Sequence, residues 1–219
     1  MISLLDVRNT IFSKIFIWLG IGLLVTFGTG YAMQLNEPLL YSFFSNSYYI
    51  FVWIAEIVIA IILSIKLRKL SGPVAKILYL VYAALTGITF SSIFIVYDLG
   101  SIMFVFGVTA VILLLLGYYG YKTNTDLTKL GTFLLIGILS IILLCVINVF
   151  VDSTVLDTGT TFLSLAIFTI YIAYDVQMIK RRMYSFENEE SLAIYGAFEL
   201  YLDFINIFID LLKLLGKEK

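Results

Sequence analysis

The last apolar stretch of the chain, residues 193–216, reads AIYGAFELYLDFINIFIDLLKLLG, and it is long enough for a membrane-spanning helix. Polar residues interrupt it at intervals of four, three and four positions, which places them on one helical face. They are Glu199, Asp203, Asn206 and Asp210. A carboxylate that faces lipid costs about 2.5–3.5 kcal/mol on insertion scales. This polar stripe must therefore face protein or water, and we expect the other helices to surround it.

The composition places the chain among integral membrane proteins. Of its 219 residues 61% are hydrophobic and 13% are charged, and the mean hydropathy is +1.04. The chain has no histidine, which leaves carboxylates as the side chains expected to titrate inside a membrane near neutral pH. Its single cysteine, Cys145, excludes an intrachain disulfide and a thiolate metal cluster. A net charge of -1 gives no reason to expect a nucleic-acid partner.

The hydropathy pattern predicts an all-α integral membrane protein with one transmembrane domain, residues 1–219. Seven helices would form a bundle with the C-terminal helix at its centre. The predicted helices cover residues 11–33, 46–67, 73–97, 101–119, 127–151, 156–179 and 193–216. Most of these runs reach the roughly 20 residues that a bilayer core requires. Residues 34–45 are predicted to form a polar-to-mixed loop.

The basic residues predict an orientation. Most of the 14 Lys and Arg residues lie at the N-terminal end and in the loops that follow the second, fourth and sixth predicted helices, whereas the opposite loops carry acids only. The positive-inside rule therefore places the N-terminus in the cytoplasm. For the seventh helix, Lys213, Lys217 and Lys219 favour re-entry and the helix length favours a complete crossing. We expect the complete crossing.

Asp175 lies near the cytoplasmic end of the sixth predicted helix and could approach Asp203. Two carboxylates that are close together in a low-dielectric site cannot both ionise cheaply, so such a pair would share a proton. This arrangement would be a proton-operated latch that needs no histidine. The alternative is that Asp175 only caps basic residues at the membrane surface, such as Arg181.

Several segments around these aspartates and elsewhere in the chain form a recognisable set. They are Tyr174-Asp175 with Ile179-Lys180, LYLDFINIF at residues 200–208, AALTGITFSS at residues 83–92, and GYYGY at residues 117–121 before DLTKLG at residues 126–131. In the order and spacing of these segments, rather than in any single one, the chain resembles the transmembrane Bax inhibitor motif (Bax inhibitor-1-like) family, in its bacterial type.

The resemblance implies a seven-helix protein of the bacterial cell membrane that leaks calcium. It also implies that the aspartates matching Asp175 and Asp203 couple opening to pH and hold calcium weakly and transiently. The family's basic latch partner would be Arg68. No cofactor is implied, and the expected partners are the lipid bilayer, calcium ions and protons, while the sequence does not identify protein partners.

Further polar residues are candidates for the ion pathway on the basis of their position alone. Glu56 lies near the middle of the second predicted helix, and the helical stripe adds Glu199, Asn206 and Asp210. Calcium takes six to eight oxygen ligands, so these few side chains predict passing coordination rather than a dedicated cage. The small residues of segment 83–92 favour close helix packing over a binding site.

Two other function classes compete with a channel. An intramembrane aspartyl protease also pairs two aspartates, but its second motif would read Gly-x-Gly-Asp where this chain reads Leu-Tyr-Leu-Asp203. We therefore expect that the protein is not an enzyme. The other class is a non-conducting regulatory scaffold of stress or cell-death pathways, which an ion-flux measurement would separate from a channel.

Overall fold

The computed structural model describes residues 4–183, 186 and 188–219, and the side chains of residues 4–8 and 68 lie outside that description. Within the described residues the chain forms eight α-helices and no strand. The helices are α1 Leu4–Gln34, α2 Glu37–Ser45, α3 Tyr48–Lys66, α4 Gly72–Val96, α5 Leu99–Lys122, α6 Gly131–Val151, α7 Thr154–Arg182 and α8 Glu189–Leu215. Single 3₁₀ turns precede α4 and α6, at Leu67–Lys69 and Leu127–Leu130. The predicted all-α class is confirmed.

Seven of these helices are long and apolar enough to cross a membrane, namely all except α2. The seven predicted spans are therefore confirmed, although several helices extend beyond the predicted limits. α7 continues to Arg182 and α8 already begins at Glu189, so both helices enter the charged stretch that separates their apolar parts. Hydropathy marks the length that lies in hydrocarbon, whereas the helical backbone can continue into the interface, where water solvates polar side chains.

The prediction of a loop at residues 34–45 was wrong, because α2 occupies most of this segment. Its start carries ordinary helix signals: the Asn36 side chain accepts a hydrogen bond from the Leu39 amide, Glu37 lies in the first turn, and Pro38 stands at its beginning. Nine residues are too short to span a bilayer. A search for spans therefore overlooks such a helix.

The described chain divides into two compact units. Unit 1 comprises Met1–Leu99, Arg182–Tyr201 and Glu218–Lys219. Unit 2 comprises Gly100–Arg181 and Leu202–Lys217. Helix α8 therefore supplies its first half to unit 1 and its second half to unit 2.

In unit 1, α1 packs along α4, and α3 packs against the same helix. Gly87 shows how close α1 and α4 approach, because a Cβ atom on it would overlap the Thr29 hydroxyl and the Thr26 carbonyl of α1. Small residues permit such backbone contact between helices in lipid. The predicted role of segment 83–92 in close packing is confirmed at Gly87.

Contacts within unit 1 also show the direction of α8. Near its start, Glu190 pairs with Lys76 in the first turns of α4, at 2.9 Å. Beyond its end, the Lys219 amine donates to the Phe94 carbonyl in the last turn of α4, at 2.6 Å. Residues at the start of α8 and beyond its end therefore contact opposite ends of α4, while the complete crossing stays a prediction. In its most apolar window α8 is 78% buried, against 6–50% for the other spans, while its central position stays a prediction.

Candidate functional site

Three of the four aspartates within the last two helices are buried, and all three belong to unit 2, whereas the fourth, Asp157, is exposed. Asp175 on α7 is 8% exposed, and Asp203 and Asp210 on α8 are 3% and 7% exposed. Glu199 and Asn206, the other members of the stripe, are half-buried. This burial agrees with the prediction that the stripe turns away from lipid.

Aromatic side chains fix the part of α8 around Asp203. Phe204 packs edge-on against Phe106 of α5 with the ring centroids 5.1 Å apart, and it stacks on Phe208 one turn later. Asp203 and Asp210 are seven residues apart, which corresponds to about 10 Å along the helix axis. Asn206 lies between them, and its amide nitrogen donates to the Leu202 carbonyl at 2.7 Å. The Asn206 side-chain oxygen remains available as an acceptor.

Asp210 is the centre of a polar cluster in unit 2. The Ser164 hydroxyl of α7 hydrogen-bonds to its carboxylate. Lys213 lies one turn later on α8 and pairs with Asp157 at 3.4 Å. Among the described residues, the Oδ2 atom of Asp210 is buried and has no hydrogen-bond partner, so this oxygen can accept a further donor or a cation.

Glu199 lies in unit 1 at the end of a hydrogen-bonded chain. The Tyr195 hydroxyl accepts from Arg182 Nη1 at 2.6 Å and hydrogen-bonds to the Glu199 carboxylate. A cation is therefore connected to the polar stripe through a tyrosine. Sequence reasoning missed this role of Arg182 and Tyr195, although the spacing of four residues between Tyr195 and Glu199 places them on one helical face.

Glu56 is held by hydroxyl groups of the neighbouring helix in unit 1. The Thr89 hydroxyl lies 3.2 Å from Glu56 Oε2, and Thr86 also hydrogen-bonds to this carboxyl. These residues line a cleft of about 340 Å³ beside α3 and α4. Segment 83–92 thus contains polar contacts as well as the predicted close packing.

A second polar contact in unit 1 joins α8 to α1. The Tyr201 and Thr26 hydroxyl oxygens are 2.6 Å apart, and the Thr26 hydroxyl donates to the Ala83 carbonyl at 2.9 Å. Because threonine has a single hydroxyl hydrogen, Tyr201 must be the donor in the shorter bond. The Tyr79 and Tyr82 rings pack edge-on against the Tyr201 ring. Neither Tyr201 nor Thr26 was among the predicted site residues.

In unit 2, polar contacts fasten the end of α7 that follows Asp175. Gln177 accepts from the Leu127 amide at 2.9 Å and donates to the Thr125 carbonyl at 2.8 Å. Arg181 pairs with Asp126 at 2.8 Å. Arg181 thus pairs with the loop residue Asp126, and Asp175 is buried, while the alternative in which Asp175 caps basic residues stays a prediction.

Asp126 lies outside the membrane-spanning segments and is exposed. Hydrogen bonds from the Thr128 hydroxyl and amide hold the pKa of its carboxyl below the usual value, and Arg181 lowers that pKa further. The predicted latch cation, Arg68, lies in the turn before α4, and its side chain is outside the described residues. Its role stays a prediction, as does proton sharing between Asp175 and Asp203.

The described residues contain no group of three or more Asp, Glu, His or Cys side chains that could hold a metal ion. Asp203 and Asp210 are two helical turns apart, and Glu199 is connected to Arg182 through Tyr195. This spacing fits successive weak contacts with a cation better than one tight site.

Comparison with known proteins identifies the family. Residues 8–219 match the family described as "Inhibitor of apoptosis-promoting Bax1". The chain is 38% identical to an uncharacterised protein of Borreliella burgdorferi (97% of this chain and 94% of that protein) and 34% identical to the inner membrane protein YbhL of Escherichia coli (96% and 93%). It is also 31% identical to an uncharacterised membrane protein of Streptococcus pyogenes (95% and 93%). The chain is therefore an integral membrane protein that belongs to the Bax inhibitor-1-like family, as its sequence motifs predict.

Proposed function

We propose that the protein is a pH-sensitive calcium leak channel with a latch formed by Asp175 and Asp203 between α7 and α8. The observation that carries this proposal is the burial of three aspartates, Asp175, Asp203 and Asp210, in helices long enough to cross a membrane. Ionisable groups in such helices are costly, and they usually mark ion or proton pathways. Membership of the Bax inhibitor-1-like family supports the same function.

Carboxylate oxygens suit calcium, which accepts variable coordination. Asp175 and Asp203 would bind it weakly and transiently. The pathway would continue through oxygen atoms of Glu56, Glu199, Asn206 and Asp210. The protein would need no cofactor and would catalyse no reaction, and the bilayer, calcium ions and protons would be its partners.

The latch would work by proton sharing. When the two aspartates are apposed, one proton between them avoids a pair of charges in a low-dielectric site, and its loss separates them by repulsion. Arg68 would compensate the remaining charge in the closed state. The bacterial relatives and the charge distribution support a bacterial cell membrane with the N-terminus in the cytoplasm.

The test is calcium flux into proteoliposomes between about pH 5 and 8, the range in which physiological switches act. We expect a weak flux that depends on pH, and an altered flux and pH profile in Asp203→Asn at matched protein density. Asp152→Asn is the control, because Asp152 is exposed and its left-handed backbone conformation also suits asparagine. Absence of flux at every pH would favour the non-conducting regulatory scaffold.

A further inference from the structure

The cleft beside α3 and α4 in unit 1 combines one carboxyl group with aromatic walls. Its volume is about 340 Å³, and its lining includes Trp53, Glu56, Tyr82 and Phe90. Trp53 is 51% exposed, and Ile57, which also lines the cleft, is 60% exposed, so the cleft opens to the outside of the unit. On a membrane-spanning helix this outside surface faces lipid.

The carboxyl group of Glu56 is well positioned but has no charged partner in the cleft. Thr86 and Thr89 hydrogen-bond to it, and no lysine or arginine lines the cleft. None of the ion pairs between described side chains includes Glu56. The cleft is therefore complementary to a ligand that carries one positive charge on an apolar body.

The depth of Glu56 restricts how such a ligand can arrive. Glu56 lies near the middle of α3, Tyr48–Lys66, and hence near the middle of the hydrocarbon layer. A hydrated cation or a lipid headgroup does not reach this depth cheaply from the lipid side. An amine with an apolar body can enter as the uncharged free base.

We propose that this cleft binds a lipophilic amine that enters from the hydrocarbon, with its nitrogen at Glu56 and its apolar body against Trp53, Tyr82 and Phe90. The amine crosses the lipid uncharged, and the carboxyl proton of Glu56 then moves to the amine nitrogen, which leaves a carboxylate and an ammonium in the cleft. The resulting ammonium is paired with the carboxylate and faces aromatic rings, which attract organic cations. A volume of about 340 Å³ lies at the small end of ligand pockets, which run from about 300 Å³, so the ligand is a small amine.

The Tyr82 ring is held in place by its neighbours. It packs edge-on against Phe198 and Tyr201, with ring centroids 5.3 Å and 5.9 Å apart. The wall of the cleft opposite to lipid is therefore preformed, which reduces the ordering cost of binding. This inference does not depend on calcium conduction.

The test uses the tryptophan in the cleft as its reporter. The chain contains two tryptophans, Trp18 and Trp53, so Trp18→Phe leaves emission from Trp53 alone. The probe is a tertiary alkylamine that carries a nitroxide quencher, and the control probe is the uncharged amide with the same chain and nitroxide. We expect saturable quenching by the amine in proteoliposomes, above the linear background that both probes give by partitioning into lipid.

Two variants connect the saturable quenching to the cleft. Glu56→Gln keeps the size and one acceptor oxygen for the threonine hydroxyls but removes the carboxyl proton and the charge, and it should weaken amine binding by about tenfold or more. Ala60→Phe fills the cleft, which Ala60 also lines, and should abolish saturation. Glu37→Gln, which changes an exposed acid on α2, is the matched control and should bind as the parent does.

Equal saturation by amine and amide would overturn the proposal, because the carboxyl group would then play no part. Unchanged amine affinity in Glu56→Gln or in Ala60→Phe would overturn it as well. If Glu56→Gln does not fold, the comparison of the two probes on the parent and the result for Ala60→Phe decide the question.

Discussion

The Tyr201 hydroxyl of α8 donates a hydrogen bond to the Thr26 hydroxyl of α1, with the two oxygens 2.6 Å apart. The Thr26 hydroxyl in turn donates a hydrogen bond to the Ala83 carbonyl of α4. One threonine therefore connects three helices of unit 1. Both side chains are fully buried, so an interrupted bond would leave a polar atom without water.

This geometry predicts unequal effects of two substitutions. Tyr201→Phe removes one donor and leaves the bond from Thr26 to Ala83 intact, so it should lower the free energy of unfolding by about 0.5–1.5 kcal/mol. Thr26→Val removes both bonds and leaves the Tyr201 hydroxyl buried without its acceptor, so it should cost more. Denaturation of purified protein by SDS would measure both. Equal costs would show that the hydrogen bonds are not arranged as a chain.

The latch predicts non-additive effects on gating. Asp175→Asn and Asp203→Asn should each flatten the dependence of calcium flux on pH, because either change removes the shared proton. The double variant should do little more than either single variant. Stopped-flow flux measurements over a pH series would provide the comparison, with Asp152→Asn as control. Additive changes in the pH response would mean that the two aspartates titrate independently.

The orientation of the chain can be tested by labelling cysteines from each face in a Cys145→Ala background. Glu37→Cys on α2 should react with an impermeant maleimide from outside, and Asn124→Cys in the loop after α5 should react from the cytoplasm only. Both positions are exposed. Exclusive labelling of position 37 from inside would contradict the orientation that the basic residues predict.

The lowered pKa of Asp126 predicts that the folded protein loses stability at acidic pH. Hydrogen bonds from Thr128 lower its pKa in the folded protein, with a further contribution from Arg181. Asp126 therefore stabilises the fold above the pKa of the unfolded carboxyl, and this contribution is lost as the pH falls through the lowered folded value. Thermal unfolding in detergent at acidic pH should show a smaller loss in Asp126→Asn than in the parent, whereas Asp152→Asn should behave as the parent.

Close packing at Gly87 predicts that larger side chains are destabilising. Gly87→Val would place methyl groups where Thr26 and Thr29 of α1 lie, and such overpacking costs about 1–3 kcal/mol or more. Gly107→Val on α5 is a suitable control, because a Cβ atom there meets no other atom within 4 Å. Similar melting temperatures for the two variants would show that α1 and α4 can move apart.

The sequence by itself determined the all-α class, the seven spans, the family and the burial of Asp203 and Asp210 on α8. The thickness of the bilayer sets the length of each apolar run that spans it. The high cost of a carboxylate in lipid requires a stripe such as Asp203 and Asp210 to face inward. These constraints act within one helix, so the order of residues along the chain contains them. α2 was missed because its signals, the cap at Asn36 and the early Pro38, concern only a few residues.

Only the tertiary structure decided which side chains meet. Tyr201 and Thr26 are 175 positions apart, and Arg181 lies 55 positions from its partner Asp126. Spacing along one helix shows which face a residue occupies, but the neighbour that covers this face depends on how several helices pack. For the same reason the hydrogen bonds from Thr86 and Thr89 to Glu56 could not be predicted, because they depend on how α3 packs against α4.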